Sequence, residues 1–205
     1  VGVSAASGVA TIMVPYVKAT APTGLTAALV SGRIQLNWRA PANNGGSTIS
    51  YYQVEASTNG GTSWMLMANV NALTVGLTPP AKGVTASYRV TARTAFGLGD
   101  YSNVATATNP NTVASNVRIT GITKVAAGSF GVTFVAPTDL GGYSSYTYRV
   151  EVYVNGAWSV VSSGVGAATN YVAITTPSTT ATYTYRVIAN NPSGDSSPMS
   201  FNYKG

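Results

Sequence analysis

The chain has 205 residues, 8% of them charged and 45% apolar, and a chain of that size can bury about 70% of its unfolded surface. This composition excludes a disordered solvating tail, which needs high charge and few hydrophobes. With no Cys, no His and five acids (Glu55, Asp100, Asp139, Glu151, Asp195), there is no disulfide, thiolate, imidazole base or His-bound metal, and little for a paired-carboxylate mechanism; no enzyme, metal or cofactor is expected.

The net charge of +6 raises the question of an acidic partner. The basic residues are scattered from Lys18 to Lys204 without a cluster or basic helix, so nucleic acid is not expected. Weak attraction to an anionic surface remains open.

Residues 1–20 form the first segment. Ala5–Tyr16 is the longest apolar-leaning stretch, broken by Ser7, Gly8 and Thr11. It falls short of the ~20 residues that span a bilayer, so membrane insertion is not expected. No basic residue precedes it, and the chain reads as processed or excised rather than as starting with a signal peptide. Residues 7–15, SGVATIMVP, echo residues 102–110, SNVATATNP. The segment therefore reads as a lone strand, and three placements compete: the end of a preceding repeat, an extra strand on the first domain, or a strand added to another subunit's sheet. Apolar Val9, Ile12 and Val14 would make a sticky edge if left bare, so the strand is expected to be paired in the assembly.

Residues 21–109 come next. Arg33–Trp38, Tyr52–Ala56 and Tyr88–Ala92 alternate polar and apolar residues, the pattern of half-buried strands. Asn59-Gly60 is a hairpin signal, because type I′ turns need positive φ at two positions. Gly24, Pro41, Gly45-Gly46, Pro79-Pro80 and Gly97 punctuate the rest.

Residues 110–205 repeat that plan. At an offset of 96, Ala40-Pro41 falls on Ala136-Pro137, Gly45-Gly46 on Gly141-Gly142, Tyr52-x-Val54-Glu55 on Tyr148-x-Val150-Glu151, and Asn59-Gly60 on Asn155-Gly156. Tyr88-Arg89-Val90 meets Tyr185-Arg186-Val187 at an offset of 97. A duplicated domain of about seven short strands in two sheets follows. Asn109–Thr112 reads as a short linker stiffened by Pro110, which implies two modules in line with limited bending.

Both halves resemble fibronectin type III domains, as found in bacterial extracellular and phage structural proteins. The residues that carry the resemblance are Pro22 in strand A, Trp38 in strand B, Pro41 before strand C, Tyr52-x-Val54 in strand C, Leu77 before the E–F corner, and Tyr88-x-Val90-x-Ala92 in strand F. The second half departs where Phe134 replaces the tryptophan and where no strand-A proline stands near Val117. The resemblance implies an all-β chain of two tandem seven-stranded immunoglobulin-like sandwiches, with Trp38, Tyr88, Phe134 and Tyr185 as structural core residues. Tyr88 would be the corner tyrosine, its hydroxyl bonded to nearby backbone.

In that fold strands C and F are neighbours. Glu55–Arg89 and Glu151–Arg186 are then expected as outward cross-strand ion pairs, each worth about 0.2–1 kcal/mol. Asp100 and Asp195 are expected at solvated tips of the two F–G loops, with Phe96 in the first and no Arg-Gly-Asp adhesion tripeptide. Trp64 and Trp158 follow the C–C′ turns; they are expected to cover a sheet edge or meet a neighbouring domain, with sugar stacking as the competing role. Together these features imply a non-enzymatic structural or interaction module at a cell surface, in an extracellular filament or in a virion. Its partners would be copies of itself or neighbouring structural proteins joined by strand pairing, or surface glycans. The alternative is a spacer or carbohydrate-binding piece of a secreted polysaccharide-degrading enzyme.

Overall fold

The computed structural model describes Gly2 and residues 17–175 and 182–204. The candidate residues Val9, Ile12 and Val14 lie outside the described residues. The chain divides into two compact units. The first takes in its described residues through Pro80 together with Thr85–Thr108, and the second takes in Ala81–Val84 and the chain from Asn109 onward.

The first unit holds β1 (Thr23–Val30), β2 (Arg33–Arg39), β3 (Tyr51–Ser57), β4 (Met65–Val70), β5 (Thr74–Leu77), β6 (Thr85–Thr94), β7 (Gly97–Tyr101) and β8 (Ala105–Thr108). They form a three-stranded sheet in the order β1-β2-β5 and a second sheet β4-β3-β6-β7, with β8 also on β6. All pairings are antiparallel. The expected seven strands are present, with the last one broken into β7 and β8. Ser102 bridges the break: its N–H donates to the Val90 carbonyl, and its hydroxyl oxygen accepts from the Val90 N–H.

The second unit repeats the order with β9 (Arg118–Ala126), β10 (Ser129–Val135), β11 (Thr147–Val154), β12 (Ala157–Gly166), β13 (Tyr171–Thr175), β14 (Thr182–Asn191), β15 (Gly194–Asp195) and β16 (Met199–Lys204). Its sheets run β13-β10-β9 and β12-β11-β14-β15, with β16 on β14. The fold is all-β, two tandem sandwiches, as the alternation implied.

Alternation becomes burial as expected. In β2, Ile34, Leu36 and Trp38 are buried while Arg33, Asn37 and Arg39 are exposed. Trp38 meets Tyr52 edge-on at 5.6 Å, and in the second core Phe134 meets Tyr148 edge-on at 4.6 Å. The smaller ring thus keeps the same contact. Tyr88 and Tyr185 are both buried. The Tyr185 hydroxyl has no hydrogen-bond partner among the described residues, and its pKa is pushed up to about 12, first by burial and then by the neighbouring Tyr183 and Tyr203.

Of the two hairpins, the one after β11 has the expected Asn-Gly turn and the one after β3 does not. Asn155 and Gly156 have φ of 52° and 83° and make the two-residue turn between β11 and β12. In the first unit the positive angles fall instead on Gly60 and Gly61. The connection there is longer, and Asn59 folds it by accepting from the Ser63 N–H at 3.0 Å and donating to Ser63 Oγ at 2.8 Å.

Candidate functional site

The outward face of the β3–β6 ladder carries a closed ionic cluster. Glu55 and Arg89 stand directly opposite each other, with Arg89 Nη2 2.6 Å from Glu55 Oε2. Gln53 Nε2 and the Tyr101 hydroxyl donate to the other carboxylate oxygen at 2.7 and 3.2 Å. The Arg89 guanidinium lies 4.2 Å from the Trp64 ring centroid and 3.7 Å from that of Tyr101. Outward does not mean wet here, because Glu55 is only 8% exposed. Burial alone raises the Glu55 pKa, but hydrogen bonds from Arg89, Gln53 and Tyr101, with the Arg89 charge, outweigh it and hold the carboxyl below its ordinary value.

The second unit builds the same cluster with a different cast. Arg186 Nη2 is 2.6 Å from Glu151 Oε2, and its guanidinium lies 4.0 Å from the Trp158 centroid. Arg149 takes the place of Gln53, and its Nε donates to Glu151 Oε1 at 2.7 Å. The same arginine grips Asp195 with two further bonds, at 3.2 and 2.6 Å, while Asn190 Nδ2 donates to Asp195 at 2.8 Å. Burial raises the Glu151 pKa, yet its two arginines bring it below the ordinary value. Hydrogen bonds from Arg149 and Asn190 lower that of Asp195.

Three expectations are corrected by this geometry. Glu55 and Glu151 are buried members of charge networks, because aromatic rings and neighbouring side chains roof them over. Asp195 is an ion-paired residue of β15 rather than a solvated loop tip. The ladders place Asp195 opposite Asn190 and Leu98 opposite Arg93, so Leu98 is its counterpart in the first unit. The supposed F–G loops are two-residue turns, so Asp100 lies within β7, exposed, with its N–H donating to the Ala19 carbonyl at 3.2 Å. Phe96 stands at the turn and is 44% exposed. Trp64 and Trp158 each lay one ring against an arginine, a contact that sequence alone did not reveal.

A second duplicated device precedes each first strand. Val17 N–H donates to the Gly45 carbonyl and Thr20 N–H to the Asn43 carbonyl, at 3.3 and 2.9 Å. Thr112 to Gly141 and Ser115 to Asp139 repeat the pair at 2.9 and 2.8 Å. Asn43 and Asp139 each cap the following glycine N–H at 2.8 Å. Gly45 and Gly141 have φ of 71° and 72°, and a Cβ on either would overlap the Val17 or Thr112 carbonyl. Ala19 and Ala114 are buried beneath these clasps. The segment expected to end at residue 20 therefore already belongs to the first sandwich from residue 17. The expected linker 109–112 likewise ends inside the second unit.

One apolar groove of about 390 Å³ opens in the first unit beside β4. Ala56, Trp64, Met65, Met67, Pro79 and Tyr88 contribute to its lining, together with Ala86. Among the described residues no group of three or more His, Cys, Asp or Glu side chains is placed to hold a metal ion. The ionic clusters offer no reacting group, since each buried carboxylate is already held by arginine and other donors.

No protein-family model matches the chain. Among solved structures, the chain is similar to a two-domain fibronectin type III segment of chicken tenascin, with 15% identity and a TM-score of 0.51 over 90% of this chain and 99% of that one. It is also similar to the FN1–FN3 domains of chicken CNTN1, with 16% identity and a TM-score of 0.44 over 90% of this chain. The chain spans 65% of that segment's length. The tenascin likeness speaks for the fold: two tandem sandwiches of the fibronectin type III kind.

Proposed function

We propose that the chain is a non-enzymatic structural and interaction module, a stiff tandem spacer in an extracellular bacterial filament, surface protein or phage virion. The observation that carries this reading is the use made of its scarce ionisable groups. Four of the five acids (Glu55, Asp139, Glu151 and Asp195) are tied up in ion pairs, and the two glutamates rivet strands together. A surface otherwise poor in charge suits repeated close contact, because few ions must be desolvated. The family type supports the reading only through fold, which hosts many roles.

Assembly would run through the N-terminal strand pairing with another subunit's sheet. Support comes from its sequence echo, residues 102–110, which contain β8 paired along β6. Sugar binding is the weaker reading, because Trp64 and Trp158 each have an arginine against the ring. The test compares the full chain with a variant beginning at Val17, which keeps the clasp, by sedimentation velocity and negative-stain electron microscopy. Concentration-dependent polymers from the full chain alone support the proposal. Two equally monomeric proteins, or hydrolytic turnover by either, would overturn it.

A further inference from the structure

Asparagine followed by glycine occurs at Asn44-Gly45, Asn59-Gly60 and Asn155-Gly156. In such a pair the side-chain carbonyl carbon can reach the next backbone nitrogen, and glycine puts no side chain in the way. All three asparagines are exposed, so hydrogen bonding is what separates them. The Gly45 N–H donates to Asn43 Oδ1 at 2.8 Å, and Asn44 Oδ1 accepts from the Gly46 N–H at 3.0 Å. Asn59 Oδ1 accepts from Ser57 Oγ and the Ser63 N–H, its Nδ2 donates to Ser63 Oγ, and its main-chain carbonyl accepts from the Thr62 hydroxyl at 3.0 Å. Asn155 is held by none of these devices. Its strands pair as far as Val154 opposite Ala157. Among the described residues, neither its side chain nor the peptide unit joining it to Gly156 makes a hydrogen bond. The space around Gly156 is open, with no atom within 4 Å of an added Cβ.

We propose that Asn155 is a site of spontaneous deamidation and isomerisation in the folded protein, while the fold holds Asn44 and Asn59 unreactive. Positive φ at both Asn155 and Gly156 is the mark of a type I′ turn. Rotating the one unbonded peptide unit between them converts it to type II′, in which the first residue keeps positive φ and takes a ψ of roughly −120°. That ψ brings the Gly156 nitrogen round to Asn155 Cγ, and the strands on either side need not move. For a residue other than glycine this backbone is strained, so it is visited transiently and the reaction is slow. A base, hydroxide in plain buffer, takes the Gly156 N–H proton. The nitrogen bonds to Cγ, the C–N bond of the side-chain amide breaks, and its nitrogen leaves, protonated, as ammonia. The resulting succinimide adds one water. Opening at Cγ yields aspartate; opening at the main-chain carbonyl yields isoaspartate, whose link to Gly156 runs through Cγ. Either product places a carboxylate at the hairpin tip and lowers the net charge of +6 by one. The same rotation in the first unit would break the Thr62 bond to the Asn59 carbonyl, or the bond from the Gly45 N–H to Asn43. The inference rests on the hairpin alone and holds whatever larger structure the chain serves.

The test incubates the full chain at body temperature in mildly alkaline buffer, beside a second sample unfolded in urea. Peptide mapping by mass spectrometry follows amide-to-acid conversion at each asparagine, and electron-transfer fragmentation separates isoaspartate from aspartate. In the folded protein, product should accumulate at Asn155 at least about tenfold faster than at Asn44 or Asn59, whose hydrogen bonds must first break. Both acids should appear there, and faster at higher pH. In urea the three pairs should react at similar rates, because the bonds that protect two of them are gone. Asn155→Gln should leave the folded protein without its main acidic form on ion exchange. An Asn155 that stays intact in the folded protein while the urea sample reacts would overturn the proposal. So would comparable rates at the three pairs in the folded protein, or the same preference for Asn155 in urea.

Discussion

Glu55 and Arg89 face each other across adjacent strands with 2.6 Å between carboxylate and guanidinium, under a cover of two aromatic rings. Partial burial makes this pair different from the exposed ion pairs that contribute little. Removing one partner strands the other. Arg89→Met is expected to cost about 3 kcal/mol, whereas Arg89→Met combined with Glu55→Met should recover most of that loss. Urea unfolding of the three proteins checks this; a double variant as unstable as the single one contradicts it.

Trp64 and Trp158 are expected to act as lids on the two clusters. Trp64→Ala and Trp158→Ala should each lower stability by about 1–2 kcal/mol through lost cation–π contact and lost cover. Phenylalanine at either position should restore part of it. Differential scanning calorimetry reads the effect, and unchanged transitions in both alanine variants would remove the lids from the account.

Stability should fall in acid. Glu55, Glu151 and Asp195 have pKa values below their ordinary ones in the folded protein, so the unfolded chain binds protons first. Their contribution is complete above the ordinary values of 4.5 for glutamate and 3.8 for aspartate. It is lost as the pH drops through the lower folded values. Melting temperature measured from about pH 6 to pH 2 should decline steeply at the acid end. In a Glu55→Gln/Glu151→Gln protein that decline should be shallower. Equal slopes would show that the stabilising carboxylates lie elsewhere.

Gly45→Ala and Gly141→Ala should each destabilise by more than about 1 kcal/mol, because the φ angle disfavours alanine and the new methyl meets a carbonyl oxygen. Gly60→Ala is the comparison: its φ is 70° but no atom lies within 4 Å of an added Cβ, so it should cost less. Chemical denaturation ranks the three, and a larger loss at Gly60 would contradict the clasp.

Tyr185→Phe should leave stability unchanged or slightly raised, by up to about 1 kcal/mol, since it removes a buried hydroxyl that finds no partner among the described residues. A clear loss in thermal melts would mean that this hydroxyl is bonded after all.

The duplication and both sandwiches were legible from the sequence because period-two burial and the Tyr-x-Val spacings repeat almost residue for residue. The Glu–Arg pairs were legible too, once strands C and F were taken as neighbours. Their burial was not, since it depends on Trp64 and Tyr101 arriving from elements that the local pattern does not relate. Asp195 was misread because a Gly-containing turn looks like a loop, whereas its ladder carries Asp195 to Arg149.

The clasps that fasten Val17 to Gly45 and Thr112 to Gly141 have a mechanical meaning. Tension entering either sandwich from its N-terminal side reaches these short backbone bonds before it reaches the first strand. A pulled chain that slipped at residues 17–20 or 112–115 would draw Ala19 or Ala114 out of its core, so each clasp guards the sandwich behind it.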